Sequence, residues 1–255
     1  MVDKMEIFPI KTPIIKPGEN LAEIILEAIY SQGLKLQDSD VIAVASKAVS
    51  IATNRIANLR KIEPSKRALK LARRYSLEPE FVELILRESE KIYGGVKKAI
   101  LTIKNGILTV NAGIDHKNTP EGFAALWPLN PQVEADRLRR QIETKTGRKI
   151  GILIVDSEVS PLRLGTRGFA LAISGFKPIR DYRNERDIYG RKILITLHSI
   201  ADDLASAAHA VMGESAEQIP AVLIRNAPIT LDENAKSKEM KIESGKCVYA
   251  GSFKL

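Results

Sequence analysis

The sequence has one cysteine, three histidines and aromatic residues at only 5% of its 255 positions. A lone Cys247 excludes an intramolecular disulfide and any thiolate metal cluster within one chain. In "GKCVYAG" it reads as a half-buried strand position rather than a nucleophile. His198 and His209 have no cysteine or histidine at metal-ligand spacing and read as packing or surface residues. No apolar run approaches the roughly 20 residues that cross a bilayer. The opening "MVDKMEIFPIK" lacks the basic, apolar, small-residue order of a signal peptide. A cytoplasmic protein with no membrane partner is expected. No G-x-x-x-x-G-K-[ST] occurs and no G-x-G-x-x-G follows a strand, so the usual nucleotide fingerprints are missing. Internal repeats, low-complexity tracts and Pro/Gly/Ser linkers are absent as well.

What is present is a globular composition, 44% hydrophobic and 27% charged, long enough for one large domain or two small ones. The net charge is +8. Nucleic-acid binding would use clustered Lys and Arg. Here the basic residues stand beside acids, as in "EPSKRALKLARR", and no aromatics interleave with them as a stacking platform requires. A basic cleft for a small polyanionic substrate suits the charge better. The Lys, Glu, Arg and Ile content resembles that of a thermophile's protein.

Along the chain, "MEIFPIK" reads as a strand and Asn20 as the N-cap of a helix with Leu21, Ile24, Ile25 and Ala28 on one face, ended near Gly33. "DVIAVAS" and "IGILIVDSE" are continuous apolar runs, hence strands buried on both faces. Pro64 opens a basic helix, and Pro79 opens another, expected to run until Gly94-Gly95. Asn105-Gly106 joins "KKAILTIK" to "GILTVNAG" as a hairpin. "NPQVEADRLRRQIETKTGRK" is a helix ending at Gly147, Ile200 to Val211 a small-residue helix, and "PAVLIRN" a last buried strand. Between "GFALAIS" and that helix comes a polar, charged loop and one more strand. The uneven alternation and the central hairpin predict an α/β or mixed α+β fold with mixed sheets, not a regular doubly wound one.

Three strand ends carry groups suited to metal and phosphate. Ser46, Lys47 and Ser50 follow the run Val41 to Ala45; a hydroxyl can ligate Mg²⁺ and a lysine can pair with phosphate. The residues alone favour a plain helix cap at Ser46 or Ser50. Asp115 and Asn118, in "NAGIDHKN", offer oxygen ligands for a hard cation, or an Asx turn closing a hairpin. Asp156, Ser157 and Glu158 stand at a strand's exit, where open sheets place ligands, or cap a helix. Arg163 and Arg167 are the nearest candidate phosphate clamps. "MGESAEQIP", from Met212, flanks a base or metal, or is a helix end with a glycine C-cap.

Taken in order, "IFPIKTPIIKPGENL", "NAGIDHKN", "GFALAISG", "RDIYGR" and "MGESAEQIPAVLIR" resemble the coenzyme F420-0:L-glutamate ligase (gamma-glutamyl ligase) family of archaea and actinobacteria. The likeness runs to Arg225. It implies a GTP-dependent ligase that adds L-glutamate to the F420 precursor by a gamma-linked amide through an acyl phosphate. Mg²⁺ or Mn²⁺ would assist, often with a monovalent cation such as K⁺. It also implies an unusual α/β fold built as an intertwined homodimer. One unit over residues 1–255 is expected, with room for two lobes and an inserted segment near 96–190. Carried over by position, Asp115, Asp156 and Ser157 fall where the family ligates metal. Asn118, the segment Pro13, Ile14, Ile15 and Lys16, and the loop at Met212, Gly213 and Glu214 fall where it contacts GTP. Ser46 falls at a serine that contacts metal or phosphate. Lys47, Arg163 or Arg167 would hold the anionic substrates.

The chain departs from the pattern in two places. Ile51 stands where a lysine is expected, with Thr53-Asn54 in place of Glu-Gly, and such an exchange at a nucleotide site is not conservative. Val159 and Ser160 replace a glycine and an arginine, while Arg163 and Gly165 are kept. Two alternatives therefore stay open. One is a family paralogue with a different acceptor or no ligase activity, and the other a non-catalytic nucleotide- or nucleic-acid-binding protein.

Overall fold

A computed structural model describes residues 4–253, so the ends of the unit expected over 1–255 lie outside the described residues. In chain order the strands are β1 (Glu6–Ile10), β2 (Val41–Ala45), β3 (Ile56–Asn58), β4 (Lys91–Val96), β5 (Ala99–Lys104) and β6 (Ile107–Val110). They continue with β7 (Phe123–Ala125), β8 (Gly151–Val159), β9 (Thr166–Ser174), β10 (Ile179–Asp181), β11 (Leu197–Ser199) and β12 (Ala221–Arg225). The helices are α1 (Leu21–Ser31), α2 (Ser46–Ala52), α3 (Lys66–Tyr75), α4 (Pro79–Glu88), α5 (Pro131–Thr146), α6 (Ile200–Met212) and α7 (Val248–Phe253).

The main sheet is mixed, in the order β1-β12-β2-β8-β9, and only β2 and β8 run parallel. Their apolar runs are continuous because both faces are covered. Ile42 and Val44 of β2, with Ile152 and Ile154 of β8, enter the core shared with α1 and α5. Val41 and Ala43, with Leu153 and Val155, enter the core under α6 on the other face. That alternation follows from the two-residue period of the strand. The alanines of α6 let it lie close to β9, where a Cβ on Gly168 would stand 2.3 Å from the Ala205 carbonyl oxygen.

A third core gathers residues between Leu59 and Leu126, where α3 and α4 pack on the β4-β5-β6 sheet. Within residues 96–190, β5 and β6 belong to the three-stranded sheet, while β8 and β9 belong to the main sheet. The hairpin at Asn105-Gly106 is present, with φ of 52° and 71°, as a two-residue primed turn requires.

Some sequence expectations are corrected. α4 stops at Glu88, and Gly94-Gly95 lie inside β4. Gly95 is needed for close approach to β5: a Cβ there would sit 2.3 Å from the Ala99 carbonyl. α3 opens at Lys66 rather than at Pro64, because Ser65 caps it, its hydroxyl accepting the Ala68 N–H. Cys247 lies between a 3-10 turn and α7 rather than in a strand, because the Lys246 and Cys247 N–H groups bond back to Glu243. Neither Ser46 nor Ser50 is a cap: Ala45 occupies that position, and the Ser50 hydroxyl donates to the Ser46 carbonyl.

Candidate active site

β2 ends at Ala45, and β8 outruns it, pairing with it only through Val155. The next residue of β8 is Asp156. A cavity of about 280 Å³ opens at this shared end of the parallel pair, at the small end of the range for ligand sites, roughly 300–1,000 Å³. Its location matches the rule that open sheets bind ligands beyond the carboxyl ends of parallel strands.

One wall comes from the turn after β6. Asn111, Ala112 and Gly113 all have φ between 52° and 69°. A left-handed alanine costs about 1–2 kcal/mol, and the surroundings enforce it. The Asn111 carboxamide oxygen accepts the Ile100 N–H, and the Ala112 N–H donates to the Thr102 hydroxyl. This turn delivers Asp115 to the cavity, and the backbone of Asp115 bridges to Ala125. Its Oδ2 accepts from Lys47 Nζ at 2.7 Å, and its Oδ1 from the Lys117 N–H at 2.9 Å. The Asx turn and the cavity acid are thus one residue. Burial would raise its carboxyl, but the Lys117 N–H and the Lys47 ammonium outweigh burial and hold it below the ordinary range. Lys47 Nζ also donates to the Lys117 carbonyl at 2.7 Å.

Asp156 is deeper. Burial pushes its carboxyl up, against the Ser157 N–H, the Trp127 indole, the Ser46 hydroxyl and the charge of Lys47. The Ser157 N–H donates to Oδ1 at 2.7 Å, and Trp127 Nε1–H donates to Oδ2. Contrary to expectation Asp156 is not at a strand exit: β8 continues to Val159 in its ladder with β9.

The third wall is the loop after α6. Glu214 accepts from the Thr166 hydroxyl at 2.7 Å, from Lys117 Nζ at 3.0 Å, and lies 3.0 Å from His209 Nε2. Burial opposes these contacts, yet they hold its carboxyl down to about 2. Asn118 Nδ2 donates to the Ser215 carbonyl at 2.6 Å. Gly213 has φ 74° and ψ −175°, a conformation essentially reserved for glycine.

The structure therefore brings Pro13, Ile14, Ile15, Ser46, Lys47, Asp115, Asn118, Asp156, Ser157, Met212, Gly213 and Glu214 to one cavity. Lys16, Arg163 and Arg167, expected at the site, do not line it. The Lys16 N–H is turned onto the Glu19 carboxylate. Arg163 sits in the exposed turn between β8 and β9, its N–H on the Ser160 carbonyl. Arg167 is turned away too, bonding Glu158 and Ser160. Sequence reasoning missed Trp127 and assigned no contact to His209, although both line the cavity. An indole N–H needs an acceptor when buried, which was the available signal for Trp127.

Acids, lysines and hydroxyls gathered around one cavity are the equipment of an enzyme. Comparison with known proteins gives its class, a ligase that forms carbon–nitrogen bonds. The chain belongs to the F420-0:gamma-glutamyl ligase family, whose model matches residues 9–226. Relatives named coenzyme F420:L-glutamate ligase include one from Archaeoglobus fulgidus, 37% identical over 92% of this chain and 95% of its own length. A second, from Methanococcus maripaludis, is 39% identical over 93% of this chain and 94% of its own. A third, from Methanothermobacter thermautotrophicus, is 38% identical over 85% and 86%. No helix among the described residues is long and apolar enough to cross a membrane.

Proposed function

We propose that the chain joins L-glutamate to coenzyme F420-0 through a gamma-linked amide, consuming GTP, with Mg²⁺ or Mn²⁺ and K⁺ as accompanying cations. The observation that carries this reading is the convergence of Asp115 and Asp156 on one cavity with Lys47 and Ser46. The donor set fits a hard cation: carboxylates from Asp115 and Asp156, hydroxyls from Ser46 and Ser157. Among the described residues no group of three or more His, Cys, Asp or Glu could cage a metal. That agrees with Mg²⁺, which takes one or two carboxylates and fills its shell with water and phosphate. When bound, a divalent cation would offset the charge on the transferring phosphoryl oxygens.

In this reading the acceptor's carboxylate attacks the γ-phosphorus of GTP, giving an acyl phosphate and GDP. The glutamate amine then attacks the acyl carbon, and phosphate leaves. Lys47 and Lys117 attract the phosphates as point charges. Pro13 to Ile15 and the loop from Met212 wall the site against water. The homodimer belongs to the proposal too. Leu162, Leu164, Ile188 and Ile195 stand almost fully exposed on the β8–β9 turn and the loop before β11, and in that reading a partner copy would cover them. Arg163 lies between two of them, so it would serve a site only across such a dimer.

Calorimetric titration of GTP with and without Mn²⁺ tests the reading. Wild type should bind GTP in a metal-dependent way and Asp156→Ala should not; metal-independent or absent binding overturns it. Turnover with F420-0 and glutamate should release GDP and add the mass of one glutamate. GTP binding without turnover would favour a second reading, a paralogue with another acceptor, for which Ile51 in the cavity wall speaks. Tight, salt-sensitive binding to random oligonucleotides would favour a non-catalytic protein.

A further inference from the structure

Trp127 is the sole tryptophan of the chain and is 2% exposed. Packing alone would place such a ring anywhere in the core. Here its one polar atom donates to the cavity acid Asp156, 29 residues away in sequence. The ring is gripped from several sides. Gly113 lies flat against it, so close that a Cβ would come within 2.2 Å of Cε2. Phe169 packs at 6.0 Å between centroids, and Lys104 Nζ stands 5.8 Å from the ring centre. The Trp127 carbonyl accepts from Arg55 Nε at 3.1 Å. Arg55 and Lys104 are themselves joined, both donating to Glu88 Oε2, at 2.8 and 2.6 Å. None of Arg55, Glu88 and Lys104 lines the cavity.

We propose that Trp127 is the positioning residue for Asp156: its indole N–H fixes the carboxylate in the cavity wall, and the Arg55–Glu88–Lys104 ion pairs hold the indole. A buried carboxylate needs its lone pairs filled. The Ser157 N–H and the indole occupy one on each oxygen, and the fixed rotamer presents the rest to the cavity. The inference rests on the reading of Asp156 as a cation-holding acid. It adds that the ion pairs of Glu88 with Arg55 and Lys104 set the acid's orientation from outside the site.

Because there is one tryptophan, the ¹⁵N-labelled full-length protein has a single indole resonance. It should lie downfield, exchange slowly with water and move upfield in Asp156→Ala. An unmoved resonance overturns the proposal. Trp127→Phe keeps an aromatic ring but removes the donor together with part of the indole's volume. Titration with Mn²⁺ alone, following the free ion, should show affinity weakened about 10- to 100-fold, the range for residues that orient metal ligands. Lys104→Met, which leaves the indole in place but loosens its clamp, should weaken affinity in the same direction and less. Wild-type affinity, within twofold, in a Trp127→Phe protein whose thermal midpoint shows it folded also overturns the proposal. If wild type binds no Mn²⁺, the proposed function fails, and the indole shift still decides the positioning role.

Discussion

Glu88→Gln is the sharpest test of the ion network beneath the cavity. Glu88 takes both Lys104 and Arg55 on one oxygen, and the Lys104 side chain is 7% exposed. Burial lowers the Lys104 ammonium, with Glu88 opposing. Burial likewise raises Glu88, but its two cations outweigh that and hold its carboxyl below the ordinary range. The substitution leaves two cations facing each other with no counter-ion. Breaking a buried pair costs about 3–5 kcal/mol. An upper bound comes from neutralising Lys104 instead: from an unfolded value of 10.5 to pH 7, at about 1.36 kcal/mol per pH unit, this costs about 4.8 kcal/mol. Arg55 and Glu88 are each about one-fifth exposed, so about 3 kcal/mol is expected at pH 7. The sign of the pH effect follows from the protons. In the folded variant Lys104 sheds its proton at a lower pH than the unfolded chain does, so the variant gains stability as pH rises toward 10.5. Urea unfolding at pH 7 and pH 9 should show the deficit shrinking to about 2 kcal/mol, the cost of a neutral Lys104 at pH 9. A deficit below about 1 kcal/mol at pH 7, or one independent of pH, would refute the reasoning.

Three further outcomes are expected. The Glu214 carboxylate, held to about 2 against an ordinary 4.5, contributes stability present above pH 4.5 and lost as pH falls toward 2. Acid unfolding followed between those limits should be steeper in wild type than in Glu214→Gln, and coincident curves would count against the contact. Gly113→Ala should destabilise by about 2–4 kcal/mol in thermal unfolding, combining a left-handed alanine with overpacking on the indole; a loss under about 1 kcal/mol would mean the ring moves freely. Ile51→Lys restores the family's charge in the cavity wall and should raise glutamate-ligation turnover in a GDP-release assay, whereas an unchanged or lower rate would mean the exchange is compensated elsewhere.

Much of the sheet was legible because its signals are local. The runs at Val41 to Ala45 and Gly151 to Val155 lack alternation, which only burial on both faces allows, and they proved to be the parallel pair at the centre. Asn105-Gly106 and Gly147 declared their turns by backbone chemistry that few other residues tolerate. The misread stretch, "RESEKIYGG", failed for a tertiary reason. Its helical start continues into residues that pair with β5, and the glycines serve that pairing rather than a helix stop. The third core could not be read from the sequence, because it draws on helices near residue 68 and a turn near residue 112, a separation that no periodicity reports.

The site divides along the same line. Asp115 and Asp156 stand out in the sequence because each follows an apolar run, but the residues bonded to them are 68 and 29 positions away, Lys47 and Trp127. Which acid is paired and which is left wanting a cation is a property of the fold alone. Lys47 satisfies Asp115 and bends its carboxyl down, whereas Asp156 has only neutral donors bonded to it and is pushed up. A divalent cation entering the cavity would therefore gain most from Asp156 and would compete with Lys47 for Asp115. Releasing Lys47 from that acid frees its ammonium for an anion in the same cavity, so cation and phosphate each favour the other's arrival. In the function proposed above, that coupling would make GTP binding metal-dependent, which the same two acids set on opposite faces could not do.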